Sequence, residues 1–98
     1  TAYGVSKLAV AGLTLGFAGE LGPAGIRVNA IAPGMILTET IREELSPQNK
    51  ALAKSMQLID ADGAEADVVS ALLYLASERA RFVTGETLRV TGGMAAGV

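Results

Sequence analysis

The hydrophobic and polar positions divide the first third of the chain into a helix, a turn and a strand. From Ala2 to about Leu21 the segment is compatible with a helix, and apolar residues occur all round it rather than on one stripe. That distribution is typical of a helix buried on two sides. Gly22 and Pro23 should end the helix in a turn.

The run from Ile26 to Ala32 predicts a strand because strand-forming residues dominate it. Pro33 and Gly34 should end this strand, and its only charge is Arg27 near the start. A run of this kind is typical of a central strand in a parallel sheet whose two faces are both covered. A helix followed closely by such a strand is half of a βαβ unit, so the predicted fold class is α/β.

A more polar stretch follows, from Met35 to Asp62, and within it Ser46 and Pro47 predict the start of a helix that runs to about Met56. A long stretch of this kind between regular elements is often a lid or a binding loop. The alternative interpretation is a surface connection without function.

The last third predicts a second clear helix and a short strand. Asp62 could cap this helix together with Glu65, as in a capping box, and the helix should end near Ser77 or Glu78. Thr87 to Val90 predicts the strand. The residues expected to form one apolar face of the helix are Val68, Val69, Leu72, Leu73 and Ala76.

Composition narrows the classes of protein to be considered. The chain has 98 residues, of which 50% are hydrophobic and 18% charged, which is very apolar for so small a domain. We therefore expect a single partial domain over residues 1–98, some of whose apolar residues cover a partner or further chain. A formal net charge of −2 gives no basis for nucleic-acid binding. The chain contains no Cys and no His, which excludes the usual zinc sites and any His or Cys nucleophile.

The longest uncharged run near the start, Leu8 to Gly19, is shorter than the roughly 20 residues that a membrane-spanning helix requires. We therefore predict no membrane association and a cytoplasmic protein. Three glycines in this run, GLTLGFAG, resemble a dinucleotide-binding loop, but they have the wrong spacing and lie inside a predicted helix. They are expected to be packing glycines.

Tyr3 and Lys7 form the one constellation with obvious chemical potential. At a separation of four residues they share one face of a helix. A neighbouring ammonium favours the phenolate and so lowers the pKa of a phenol, which can then exchange a proton with a substrate oxygen near neutral pH. The alternative interpretation is an amphipathic helix face with a solvated lysine.

Three motifs in this chain together indicate a protein family more strongly than any one of them does alone. YGVSK, then ELGPAGIRVNAIAPGMILT, then ALLYLASERARFVTGETLRVTGG resemble, in order and spacing, the C-terminal portion of the short-chain dehydrogenase/reductase family, especially its oxoacyl reductase-like members. The resemblance covers nearly the whole chain. It implies the C-terminal part of a doubly wound, Rossmann-type parallel sheet and an NAD(P)-dependent enzyme that interconverts a carbonyl and an alcohol by hydride transfer.

Residue roles follow from the resemblance by position. Tyr3 would be the general acid in carbonyl reduction and the base in alcohol oxidation. Lys7 would lower the pKa of that phenol and hydrogen-bond the nicotinamide ribose of NAD or NADP. Asn29, within VNAIAPG, would have a structural role.

The loop after the first strand would contact the cofactor in such an enzyme. Pro33 and Gly34 would turn the chain beside the nicotinamide, the Ile36 backbone would meet its carboxamide, and the Thr38 hydroxyl would bind nearby. The segment 35–62 would be the lid over a small-molecule carbonyl or alcohol substrate. Family members commonly have Asp before the last two glycines, where this chain has Thr91.

The family's glycine-rich phosphate loop, its residue that selects NAD or NADP, and its active-site Ser and Asn are not in this sequence. The chain is therefore interpreted as an incomplete fragment that is inactive by itself. The resemblance also implies a homo-oligomer formed through the helix from Ala2 to Leu21. Two alternatives remain: a non-catalytic truncated paralogue or remnant that acts as an oligomerisation module, and one half of a split enzyme.

Overall fold

The computed structural model describes residues 2–37 and 43–94, with the backbone but not the side chain of Tyr3. Within these ranges the chain has three complete α-helices and two β-strands in an α/β order, joined in part by short 3-10 turns, and residues 43 and 44 are also helical. The elements are α1 (Ala2–Leu21), β1 (Ala30–Pro33), α2 (Pro47–Ser55), α3 (Glu65–Ala76) and β2 (Thr87–Val90).

The described residues divide into two compact units. The first contains residues 2–31 and 72–88, and the second contains residues 32–37, 43–71 and 89–94. No helix in the described ranges is long and apolar enough to cross a membrane.

Helix α1 has the bounds that the sequence predicts, and its end is fixed by glycine geometry. A 3-10 turn over Gly22–Ala24 follows the helix, and Gly25 closes that turn with a φ of 80°, donating its N–H to the Gly22 carbonyl. Such a left-handed conformation is accessible to glycine without strain. The chain can therefore leave the helix sharply and approach β1.

Burial of α1 differs from the expectation that it is covered on two sides. Only one narrow stripe is shielded, and within it Thr14 and Ala18 are buried. Elsewhere on the helix Leu8 is 75% exposed and Leu15 is 65% exposed. The all-round apolar character of α1 is therefore not explained by its contacts with residues 2–37 and 43–94.

The two strands pair in one sheet. The Ala30 N–H donates to the Glu86 carbonyl, and the Gly34 N–H donates to the Val90 carbonyl, each at 2.9 Å. Both partners advance by four residues in the same direction, so the pair is parallel. The residues of β2 were correctly predicted, and β1 itself is largely half-buried rather than buried on both faces.

The predicted start of β1 at Ile26 was wrong by four residues. The Val28 N–H donates to the Thr84 hydroxyl at 3.0 Å, and the Val28 carbonyl accepts from the Gly85 N–H at 2.8 Å. Before Ala30, therefore, the chain bonds to a loop and its side chains rather than to a second strand. Strand propensity in IRVN could not reveal which partner those backbone groups would find.

Helix α2 begins as predicted. Ser46 is its N-cap, and the Ser46 side chain accepts a hydrogen bond from the Asn49 N–H at 3.1 Å. Pro47 occupies the first turn, where its missing N–H costs nothing. Met56 is the C-cap, in agreement with the predicted end.

Helix α3 is capped differently from the prediction. Its first residue is Glu65, and the carboxylate of Asp67 accepts a hydrogen bond from the Ala64 N–H at 2.8 Å. Asp62 instead lies 3.7 Å from the ammonium of Lys54. The capping box was therefore assigned two residues too early, because the acidic residues at 62, 65 and 67 are each plausible caps by sequence alone.

The apolar face of α3 was also only partly correct. The side of the helix that faces the rest of the chain carries Val68, Ala71 and Leu75, of which Leu75 is buried. Leu72 is 55% exposed and Leu73 is 65% exposed. This helix is apolar over more of its circumference than the chain covers, as α1 is.

Candidate active site

Tyr3 and Lys7 both lie on the first two turns of α1. Residues four apart on a helix have neighbouring Cβ atoms, so the backbone places both on one face as predicted. The Lys7 side chain is half-buried. The Tyr3 side chain is outside the described part of the structure, and the distance between phenol and ammonium therefore stays a prediction.

Pro33 and Gly34 lie at the carboxyl end of β1, where Pro33 is the last strand residue. A Cβ added to Gly34 would lie 2.9 Å from the Cα of Thr91 and 3.1 Å from its Cβ. The chain leaving β1 thus passes directly against the chain leaving β2, and Gly34 is the residue that permits this approach.

Ile36 lies two residues beyond this turn and is held by a single parallel bridge to Gly63. The Leu37 N–H donates to the Gly63 carbonyl at 2.9 Å. A Cβ on Gly63 would lie 2.7 Å from the carbonyl oxygen of Met35. The backbone of this loop is therefore clamped against residue 63, the far end of the predicted lid. Thr38 lies outside the described residues.

The turn after β2 is organised by Thr91. Its hydroxyl oxygen accepts hydrogen bonds from the N–H groups of Gly93 and Met94, each at 3.2 Å. Gly92 and Gly93 have φ angles of 64° and 85°. A threonine hydroxyl thus holds the turn by the kind of side-chain to backbone bonding that Asp also provides, which accounts for Thr91 at this position.

The same turn fastens the C-terminal end of the predicted lid. The N–H groups of Leu58 and Ile59 both donate to the Gly92 carbonyl at 2.9 Å. The Gln57 amide donates to the carbonyls of Ile59 and Ala61, which stiffens the segment. Residues 57–63 are therefore attached to both strand ends within the second unit.

A solvent-open hollow lies beside this loop in the second unit, with an empty volume of about 220 Å³ that includes its mouth. Lys54 lies on its wall and pairs with Asp60 at 3.6 Å and Asp62 at 3.7 Å. The lining residues are Met35, Leu37, Lys50, Lys54, Gln57, Asp62 and Gly63.

The structure confirms that Asn29 is structural and identifies a second residue of this kind, Arg27, which the sequence analysis treated only as a charge. The Asn29 amide nitrogen donates to the Val83 carbonyl at 3.0 Å, and its oxygen accepts from the Glu86 N–H at 3.1 Å. The guanidinium of Arg27 donates to the carbonyls of Leu75 and Ser77 at 2.8 and 3.3 Å. These bonds satisfy carbonyls at the C-terminal end of α3.

Of the predicted site residues, Pro33, Gly34 and Ile36 lie together at the carboxyl end of β1 in the second unit. Tyr3 and Lys7 belong to the first unit. In open parallel sheets, ligands bind in the crevice outside the carboxyl ends of the strands. The loop that follows β1 is therefore where this fold class would place a ligand.

Comparison with known proteins agrees with these motifs. Residues 1–95 match the family described as enoyl-(acyl carrier protein) reductase. Momilactone A synthase from Oryza sativa subsp. japonica is 41% identical over 98 residues, an overlap that covers 95% of this chain and 36% of the relative. A 3-oxoacyl-[acyl-carrier-protein] reductase from Staphylococcus aureus is 37% identical over 92 residues, covering 94% and 37%.

Comparison with solved structures agrees with the comparison of sequences. A 4-hydroxyisoleucine dehydrogenase complexed with NADH superposes with a TM-score of 0.89 at 43% identity, covering 99% of this chain and 40% of that one. The chain thus spans little more than a third of the length of the relatives it matches. Its α/β fold corresponds to part of a Rossmann-type sheet, and the chain belongs to the short-chain dehydrogenase/reductase family.

Proposed function

We propose that this chain forms the proton-transfer part and the nicotinamide-side loops of an NAD(P)-dependent oxidoreductase that interconverts a carbonyl and an alcohol. The observation that carries the proposal is the family match over residues 1–95, which includes YGVSK on α1 and the Pro33–Gly34 turn at the carboxyl end of β1. The relative that superposes at 43% identity is complexed with NADH, which supports a nicotinamide cofactor for this chain as well.

The residues after β1 fit a nicotinamide cofactor. The close approach of Gly34 to Thr91 keeps side-chain bulk out of the turn. The neighbouring Ile36 is only half-buried, so part of this loop is accessible. Pro33 and Gly34 would lie beside the nicotinamide ring, and the Ile36 backbone and the Thr38 hydroxyl would bind its carboxamide side. When bound, the cofactor supplies or accepts the hydride.

Tyr3 is the proposed proton donor and acceptor. In reduction, the carbonyl carbon gains a hydride while the phenol O–H gives its proton to the carbonyl oxygen, and oxidation reverses both transfers. Lys7 has the proposed role of favouring the phenolate and binding the ribose hydroxyls. Both residues share one helix face, so the backbone geometry supports this pairing.

The segment 35–62 is the proposed lid over a small-molecule substrate. Its fastened end, residues 57–63, supports this role because a lid that returns to the same place requires a fixed base. Leu52 and Met56 on and after α2 are 61% and 47% exposed. They offer apolar surface that a substrate could cover.

A second proposal concerns assembly. Three apolar residues of α1 outside its buried stripe, Val5, Leu8 and Leu15, are each at least 65% exposed. Apolar surface of this extent favours a helix that packs on a further surface. A non-catalytic packing module is the alternative function that this observation favours.

The 98 residues alone are expected to turn over no substrate. The family's phosphate loop and its active-site Ser and Asn are not among them, and much of the binding energy that positions nicotinamide would come from the phosphate loop. Cofactor reduction by the isolated chain that Tyr3→Phe abolishes would contradict this expectation.

The test of the proposed function uses the protein at its natural length. Tyr3→Phe should lower the rate of carbonyl reduction by about 10²- to 10⁴-fold, the usual contribution of a general acid, while cofactor affinity stays close to that of the parent. Tyr74→Phe is the matched control, because Tyr74 lies on α3 and no catalytic role is proposed for it. Equal rates for the two variants would overturn the assignment of Tyr3.

A further inference from the structure

Ile36 is held in the loop after β1 through the residues on either side of it. The Leu37 N–H donates to the Gly63 carbonyl at 2.9 Å, and the Met35 carbonyl oxygen lies 2.7 Å from where a Cβ on Gly63 would be. This is the pattern of the parallel bridge between Ile36 and Gly63, in which Gly63 meets the neighbours of Ile36 and not the N–H and carbonyl of Ile36 itself.

The N–H and carbonyl of Ile36 therefore point to the opposite side of the loop, since successive residues of an extended segment direct their backbone groups to alternate edges. Neither group has a hydrogen-bond partner within residues 2–37 and 43–94, and Ile36 is only half-buried. One extended residue thus presents a donor and an acceptor side by side. That pair is complementary to a primary amide, which offers an acceptor oxygen beside a donor nitrogen.

Gly63 lacks a side chain because of the space around it. Its φ is not one of the positive angles found among the described glycines, so its backbone conformation does not require glycine. A Cβ would instead press on the Met35 carbonyl oxygen, a backbone atom that cannot rotate away. A larger residue at position 63 should therefore displace the segment that carries Ile36.

Gly63 is itself fixed by the start of α3. The helix begins two residues later, at Glu65, and the Asp67 carboxylate accepts a hydrogen bond from the intervening Ala64 N–H at 2.8 Å. The loop after β1 is thus supported by the end of a helix. A backbone held in this way has its direction set before a ligand arrives, which reduces the entropy lost on binding.

We propose that Gly63 is a positioning residue for the nicotinamide of the cofactor. Through its bridge to the loop it directs the N–H and carbonyl of Ile36 outward, where they bind the oxygen and the amide nitrogen of the carboxamide. The inference rests on the proposed function, which supplies the nicotinamide cofactor. Gly63 acts through Ile36 and not by touching the cofactor.

The first experiment measures binding and not turnover. The protein at its natural length is titrated by calorimetry with NADH or NADPH, and with the corresponding ADP-ribose, which lacks the nicotinamide. Gly63→Ala should weaken binding of the complete cofactor about tenfold, as expected when two hydrogen bonds are lost. The affinity for the ADP-ribose should stay that of the parent.

Gly85→Ala is the matched control. It also adds a Cβ at a crowded glycine, 3.2 Å from the Leu15 Cδ1, but it lies in the first unit, whereas Ile36 and Gly63 belong to the second. It should destabilise the fold without changing the ratio of the two affinities. Equal ratios in the two variants, or equal losses of cofactor and ADP-ribose affinity in Gly63→Ala, would overturn the positioning role.

The second experiment uses the unsubstituted protein and so does not depend on the folding of a variant. Hydrogen exchange of the Ile36 and Leu37 amides is followed by NMR. The Leu37 N–H should be protected with and without ligand, because it is bonded to Gly63. The Ile36 N–H should become protected only when the complete cofactor is bound, and not with the ADP-ribose.

The outcomes separate this inference from the proposed function. Cofactor binding that leaves the Ile36 N–H unprotected would refute the inference and leave the proposed function intact. A protein that binds neither NADH nor NADPH would overturn the proposed function and this inference with it.

Discussion

Helix α1 and the two turns that follow β1 and β2 differ in how many contacts they make with the rest of the chain. Along α1 most apolar side chains are exposed, and among the described residues no atom outside the helix lies within 4 Å of where a Cβ on Gly12 or Gly16 would be. At the strand ends, in contrast, Gly34 passes against Thr91 and the Gly92 carbonyl accepts two N–H groups from the lid segment. The helix forms from local interactions, whereas the turns combine local hydrogen bonds of Thr91 with contacts to residues far away in the sequence.

Because of this difference, residues of the same type have different structural roles in the two regions. Glycine at 34 is required by a neighbouring backbone, whereas the structure describes no atom close to a Cβ on glycine 16. The same contrast separates Arg27, which joins remote segments, from Arg79, which is exposed. Substitutions that appear equivalent in the sequence should therefore have unequal effects on stability.

The largest effect is expected at the strand ends. Gly34→Val would place a branched side chain against the Thr91 backbone and should lower the free energy of unfolding by about 3 kcal/mol, the upper end of the range for overpacking. Gly22→Ala is the control, because a Cβ there meets no atom of the described part of the chain within 4 Å. Urea unfolding compares the two, and equal losses would remove the distinction drawn between these glycines.

Arg27→Met should cost less, about 2 kcal/mol, because it removes charged hydrogen bonds to carbonyls at the end of α3 that are partly accessible to water. Arg79→Met is the matched control and should change the unfolding free energy by under about 0.5 kcal/mol, as exposed substitutions usually do. If both variants unfold at the parent's urea midpoint, Arg27 does not join the segments as described.

The start of α3 provides a smaller and purely local test. Asp67→Ala should destabilise by about 1 kcal/mol through loss of the bond from the Ala64 N–H. Asp62→Ala should cost under about 0.5 kcal/mol, since it removes one partly exposed ion pair. Thermal unfolding ranks the two, and the reverse order would support the cap at Asp62 that the sequence suggested.

The smallest effect should have the opposite sign. Gly16→Ala in α1 should stabilise the helix by about 0.5–1 kcal/mol, because alanine loses less backbone entropy than glycine and open space surrounds the position within this chain. Sedimentation and thermal unfolding are measured together. A loss of stability accompanied by dissociation into smaller species would show instead that this glycine is packed between subunits.

Much of the fold was predictable from local patterns. The bounds of α1, the Ser46 cap of α2 and the residues of β2 follow from helix stop signals, capping preference and strand propensity. The start of β1 and the cap of α3 were wrong. In both cases several neighbouring residues satisfied the same local rule, and only the hydrogen-bond partner distinguished them.

For the candidate site, too, some residues could be identified from the sequence and others could not. Tyr3, Lys7, Pro33 and Gly34 could be identified from motif and spacing, because their chemistry resides in residue type and in positions along one element. The pairing of Lys54 with Asp60 and Asp62 beside the hollow could not, because the spacing of these residues does not show that their charged groups come within 4 Å.

The sequence by itself therefore determined the family, the α/β order and the residues proposed for proton transfer, since helix periodicity, caps and motifs act over a few neighbouring positions. The tertiary structure decided which backbone groups meet at the strand ends and why residue 34 must be glycine. Those properties depend on contacts between segments that are distant in the sequence, such as Gly34 with Thr91, which no local pattern records.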